Sequence, residues 1–100
     1  MNVTIQEQDG KIVAILEGCL DTAAAAETEK AMSPLYDAEG KDIIIDCTSL
    51  EYISSAGLRI FLCILQDAEE KGRHLYVKNI SEDVRGVFTI TGFINIFEFI

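Results

Sequence analysis

The stretch KDIIIDCTSLEYISSAGLRIFLCIL, residues 41–65, decides how this chain is read. It opens on a β-branched run, residues 43–45, with almost no alternation, and that pattern predicts a short central strand covered on both faces. It closes on Leu58, Phe61, Leu62 and Leu65, which recur at helical spacing and continue to Ala68. Gln66, Glu69, Glu70 and Lys71 fall on the outside, so a helix is expected over residues 56–71, stopped by Gly72. Between strand and helix lies DCTSLEYISSAG, read as a loop. Asp46 stands at the strand's C-terminal end, where open α/β sheets usually carry their functional loops, and Ser54 and Ser55 stand at the start of the helix.

Working outward, Val3 and Ile5 precede EQDGK, and Ile12, Val13 and Ile15 follow it. Asp9-Gly10 is a strong hairpin signal, so strands are expected at residues 3–8 and 11–17, the second ended by Gly18. Asp21 or Thr22 can cap the next helix, TAAAAETEKAMSPLY, whose alanines favour helix. Ala23, Ala26, Met32 and Leu35 are expected to face the core, Pro34 to bend the helix end, and the small residues to permit close approach. HLYVK reads as a strand. SEDVRGVFTITG reads as a helix capped by Ser81 and stopped by Gly92, with Val84, Val87 and Phe88 inward, and FINIFEFI reads as a last strand. The order β-β-α-β-α-β-α-β predicts one α/β domain over residues 1–100, a mixed sheet of about five strands with helices packed on it and right-handed later crossovers.

Composition narrows the function. One hundred residues, about half of them hydrophobic and with a single proline, can bury a core without disulfides or metal. A net charge of −9 argues against a nucleic-acid partner, since binding phosphates requires lysine and arginine, and would steer a basic protein favourably. Cys19, Cys47 and Cys63 lack C-x-x-C spacing and lie in apolar stretches, which predicts reduced, buried thiols in the cytoplasm. The N-terminus has no signal-peptide pattern, and Arg59 and Gln66 interrupt the longest apolar run, so no membrane span is expected.

Catalysis finds little support. His74 is the only histidine and reads as a solvated edge residue. There is no metal-ligand spacing, no nucleophile elbow and no glycine-rich phosphate loop, so neither an enzyme nor a cofactor is expected. The serine pair remains. A phosphate on Ser55 would sit at a helix N-terminus, where free N–H groups and the dipole favour negative charge, and Gly57 would keep bulk away from the pair. The plainer reading stands beside it: serine at a helix start is usually only a cap, Asp46 an acceptor for loop N–H groups, and Arg59 a solvated helix residue.

IIIDCTSLEYISSAGLRIFL resembles the signature of the STAS domain, the fold of bacterial anti-sigma factor antagonists. EGCLDTAAA is similar to that family's G-x-L-D segment opening the first helix, and VRGVFTITGF to its late helix, so the resemblance covers nearly the whole chain in order. It implies that Ser55, two places before Gly57, is the serine a partner kinase phosphorylates, with Ser54 the alternative acceptor and Asp46 near it. Ser54 stands where the family usually has aspartate, Ala56 where it has a second serine, and Thr22 directly follows Asp21. Family members usually continue into a C-terminal amphipathic helix. The chain here stops at Ile100, so either that helix is absent or the chain is cut short; FINIFEFI would then leave apolar surface uncovered, which makes self-association as a homodimer an expectation.

The implied mechanism is a binding switch without catalysis of its own. Unphosphorylated, the domain would bind an anti-sigma factor/serine kinase of the histidine-kinase-like ATPase fold through Asp21, Asp46, Ser54, Ser55, Ala56, Gly57, Leu58 and Arg59. Phosphorylation of Ser55 would release it, and a PP2C-type phosphatase would reset it. The competing expectation is an accessory STAS subunit of a transporter ATPase complex that is never phosphorylated and tolerates Ser55→Ala. A nucleotide-binding STAS protein is a third and weaker expectation, because no basic phosphate cradle is visible.

Overall fold

The computed structural model of the protein describes residues 1–37 and 40–100. The hairpin forms as expected: β1 (Asn2–Gln8) and β2 (Lys11–Leu20) are antiparallel, with Gln8 opposite Lys11. Asp9 and Gly10 both take positive φ, 53° and 78°, the geometry a two-residue turn needs to match strand twist. Parallel strands β3 (Ile43–Ile53), β4 (Leu75–Lys78) and β5 (Glu98–Phe99) follow, giving a five-stranded sheet in the order β1-β2-β3-β4-β5. Between them run α1 (Ala25–Ala31), α2 (Pro34–Asp37), α3 (Ser55–Glu70) and α4 (Glu82–Ile90).

Every crossover steps the same way across the sheet, and right-handed connections that do so place all their helices on one face. Burial agrees. Ile12, Ala14 and Leu16 of β2, Ile43, Ile45 and Cys47 of β3, and Leu75 and Val77 of β4 join the core. Of the opposite parity, Ile15, Ile44 and Tyr76 are only half-buried, and Val13 is buried but lies outside that core. The expectation of a central strand covered on both faces is therefore corrected: a β-branched run does not by itself distinguish a two-sided sheet from a one-sided one.

Several boundaries also move. Gly18 does not end β2; it takes φ 107° inside the strand, which continues to Leu20. β3 likewise runs on through the segment read as a loop. Against β2 it carries one extra residue between Asp46 and Ser49 and another between Leu50 and Tyr52, two bulges in one strand. Its buried positions fall at 43, 45, 47, 50 and 53, so the alternation that identifies a strand is broken where the bulges lie.

The first helical segment breaks at Met32–Ser33 into α1 and α2, with Pro34 as the first residue of the second. Met32 and Leu35 are buried as expected. Ala23 and Ala26 are exposed instead, and Thr28 takes the inward position. FINIFEFI is a 3-10 turn (Phe93–Asn95) followed by the two-residue β5, not a full strand. Phe97 and Phe99, two residues apart, both turn onto Phe88 with ring centroids 5.5 and 5.4 Å away, and Phe61 joins at 6.1 Å from Phe88, so alternation survives only in this last pair. Of the thiols, Cys47 is buried, Cys63 half-buried and Cys19 exposed, the last against expectation.

Candidate functional site

β2 and β3 end side by side, with Leu20 opposite Ile53, and the Ser54 N–H donates to the Leu20 carbonyl at 2.8 Å. The chain then turns into α3. Ser54 has extended backbone and its Oγ accepts the Gly57 N–H at 3.2 Å, so it is the N-cap and only 7% exposed. Ser55, the first helical residue, is exposed. The two serines are thus divided: one hydroxyl is committed to the backbone inside, the other stands on the surface.

Gly57 explains why the turn can sit so close to the sheet. A Cβ there would lie 2.7 Å from Leu20 Cγ and 2.9 Å from Ile53 Cγ1, so only glycine fits. This corrects the expectation that Gly57 clears space around the serines; it clears space for the strand ends beneath. Leu58 is buried as well, and Ala56 half-buried. Of residues 54–59, Ser55 and Arg59 are therefore the exposed side chains, while Gly57 and Leu58 hold the turn in place.

Asp21 follows Leu20 and closes its own turn, its Oδ1 accepting the Ala24 N–H at 2.8 Å. It does not cap α1 itself, which begins one residue after Ala24 without a side-chain cap. Thr22, Ala25, Ala26 and Glu29 face Ser55, Ala56, Arg59 and Ile60 across an open groove of about 490 Å³. The α1 half of this groove was not identified from sequence, although the alanine run signalled close approach. Glu29 and Arg59 are its charged side chains.

Asp46 is elsewhere. It lies within β3 seven residues before Ile53, opposite Ile15 and Lys78, and takes no part in the groove. Its Oδ1 accepts the N–H of Thr48 at 3.0 Å and the Thr48 hydroxyl at 2.6 Å, and Asn79 Nδ2 donates to the same hydroxyl at 3.1 Å. Asp46 therefore organises the first β3 bulge, the acceptor role that residue type alone suggested, and is not brought near Ser55. His74 is exposed, its ring stacked on Tyr76 at 6.3 Å. Among the described residues no three His, Cys, Asp or Glu side chains gather as metal ligands, and no helix is long and apolar enough to cross a membrane.

The STAS domain family model matches residues 2–100. BtrV of Bordetella bronchiseptica, named as an anti-sigma factor antagonist, is 33% identical over 97% of this chain and 84% of its own. The anti-sigma-B factor antagonist of Staphylococcus aureus is 26% identical over 92% of this chain and 85% of its own. Among solved structures, the anti-sigma factor antagonist SpoIIAA in its unphosphorylated form matches with a TM-score of 0.81, at 21% identity over 99% of this chain and 88% of that one. The phosphorylated form of the Bacillus protein matches with 0.73, at 20% identity over 99% and 91%.

Proposed function

The chain belongs to the STAS domain family, and on that premise we propose that it is an anti-sigma factor antagonist switched by phosphorylation of Ser55. One observation carries the reading: of two adjacent serines at the start of α3, Ser54 is buried with its hydroxyl engaged as the cap, and Ser55 is exposed on the rim of the α1–α3 groove. The names of its relatives point to the same role, and SpoIIAA exists in phosphorylated and unphosphorylated forms on this fold.

In this mechanism the unphosphorylated domain presents the groove to an anti-sigma factor/serine kinase of histidine-kinase-like ATPase fold in the cytoplasm, which frees the sigma factor. The kinase transfers the γ-phosphoryl group of its Mg-ATP to Ser55 Oγ. An O–P bond forms, the bond to ADP breaks, and the hydroxyl proton leaves to a base on the kinase. The new group carries roughly −1.5 to −2 charges. It stands at the first turn of α3, where the N–H groups of Ser55 and Ala56 have no acceptor within the helix, so the helix tolerates it. Arg59 lies one turn along, at i+4, and lines the same groove. A phosphate on Ser55 would draw its guanidinium and add repulsion at the contact, and the complex would separate. A PP2C-type phosphatase would hydrolyse the monoester and restore the binding form.

The test is intact-mass analysis of the protein from its native cell, wild type beside Ser55→Ala and Ser54→Ala. A phosphate adduct on the wild type and on Ser54→Ala, absent from Ser55→Ala, supports the switch. An adduct that persists in Ser55→Ala moves the acceptor elsewhere. No adduct under any growth condition, with partner binding intact in Ser55→Ala, favours the unphosphorylated accessory subunit of a transporter ATPase.

A further inference from the structure

The outer edge of the sheet carries a second surface, separated from the Ser55 groove by the width of α1. β1 pairs only with β2 among the described strands. In a two-residue hairpin the residues flanking the turn exchange both hydrogen bonds, so Gln8, Gln6, Thr4 and Asn2 bond inward to β2. The Ile12 N–H, opposite Glu7, donates away from β1 to the Asp42 carbonyl at 3.0 Å, which fixes this alternation. The N–H and C=O groups of Val3, Ile5 and Glu7 therefore point outward, and none has a partner among the described residues. Sheet edges are usually blunted by lysine, proline or a bulge, and β1 carries none of these.

Two grooves lie beside this edge on the helix side. One, about 220 Å³, is walled by Val3, Ala24 and Ala31 and rimmed by Glu27. The other, about 390 Å³, is walled by Ile5, Ile12 and Pro34 and rimmed by Asp37. Val3 and Ile5 are two residues apart, about 7 Å along a strand, which is the spacing of successive side chains on one face of an added strand. Each groove thus offers an apolar wall for a side-chain stem and a carboxylate for its end. Glu27 and Asp37 are exposed and have no ion-pair partner among the described residues, whereas Glu7 is paired with Lys41 at 2.8 Å.

We infer that the β1 edge docks an extended segment of a partner protein that carries lysine or arginine at alternate positions. The segment adds to the sheet through the outward groups of Val3, Ile5 and Glu7, lays two alternate aliphatic stems against the groove walls, and sets their cationic ends beside Glu27 and Asp37. A second copy of this chain is the poorer occupant, because each copy carries −9 and β1 itself offers no cation.

The probe is a seven-residue peptide alternating lysine and valine, capped at both ends, with a glutamate-for-lysine peptide as control. Binding is followed on the full chain by amide NMR and hydrogen exchange. The expected result is protection of the Val3, Ile5 and Glu7 amides by the lysine peptide alone. Affinity should fall about tenfold or more in Ile5→Pro, which removes one outward N–H without touching the β1–β2 ladder, and in Glu27→Lys/Asp37→Lys, which leaves the strand untouched. Shifts scattered over the acidic surface and unchanged in both variants would reduce the effect to bulk charge and overturn the inference. So would the absence of binding at millimolar peptide. Dimerisation without peptide, with the same three amides protected, would assign the edge to a second copy instead.

Discussion

At the level of single residues, neighbours of the same type do different work. Ser54 closes the end of α3 from inside, and Ser55 projects from it. Ser54→Ala should therefore cost about 1 kcal/mol of stability, the usual value of an N-cap, while Ser55→Ala should stay within about 0.5 kcal/mol. Urea denaturation of the two variants checks this, and equal losses would contradict the division. Cys47 supplies a pH signature. Burial, with Asp46 adding to it, pushes its thiol up to about 12. The unfolded chain releases that proton near 9, so its contribution is fully present below about pH 9 and is lost as pH rises towards 12. Stability should fall by about 1.4 kcal/mol per pH unit through that window. The slope should flatten in Cys47→Ala, leaving a smaller one from Tyr36, whose phenol burial raises first, with the charges of Cys63, Glu29 and Asp67 adding. Denaturation curves from pH 8 to 11 measure it.

At the level of elements, close approach matters more than propensity. Alanine is the better helix former by about 1 kcal/mol, yet Gly57→Ala would drive a methyl into Leu20 and Ile53 beneath α3. The variant should lose about 1–3 kcal/mol, and the N-terminal turn of α3 should lose hydrogen-exchange protection before its C-terminal half. A variant as stable as wild type would mean that the strand ends can give way. The β3 bulges show the same logic. Helix α3, the hairpin turn and the Ser81 cap were legible because each is signalled within a few residues. The true length of β3 was not, since its buried residues fall three apart after Cys47 and imitate a loop. The end of the chain misled for a different reason: residues 93–95 wind into a 3-10 turn, and only Phe97 and Phe99, two apart and both against Phe88, keep a strand's period.

For the whole molecule, long-range ties decide what no local pattern announces. Arg73, a charged residue between α3 and β4, is only 6% exposed. Its Nε donates to the Lys41 carbonyl at 2.6 Å and its Nη1 to the Leu35 carbonyl at 2.9 Å, which joins the entrance of β4 to α2 and the start of β3. Nη2 has no partner among the described residues. Arg73→Ala should cost about 2–4 kcal/mol, because two carbonyls lose charged donors in the interior. Arg73→Lys should recover only part of this, since an ammonium cannot span both carbonyls as a guanidinium does. Thermal melts of the two variants test the ranking.

Turn chemistry, capping and helical periodicity are properties of neighbouring residues, so the class of fold, the order of elements and the serine caps of α3 and α4 follow from the sequence, whereas the expected cap of α1 does not. The sequence also singled out the serine pair. The tertiary structure alone decided that the helices share one face of the sheet, that Ser54 is inside and Ser55 outside, that Asp46 supports a bulge far along β3, and that α1 completes the groove. These depend on which distant segments meet, and contacts between them are set by packing and register, which no local pattern encodes.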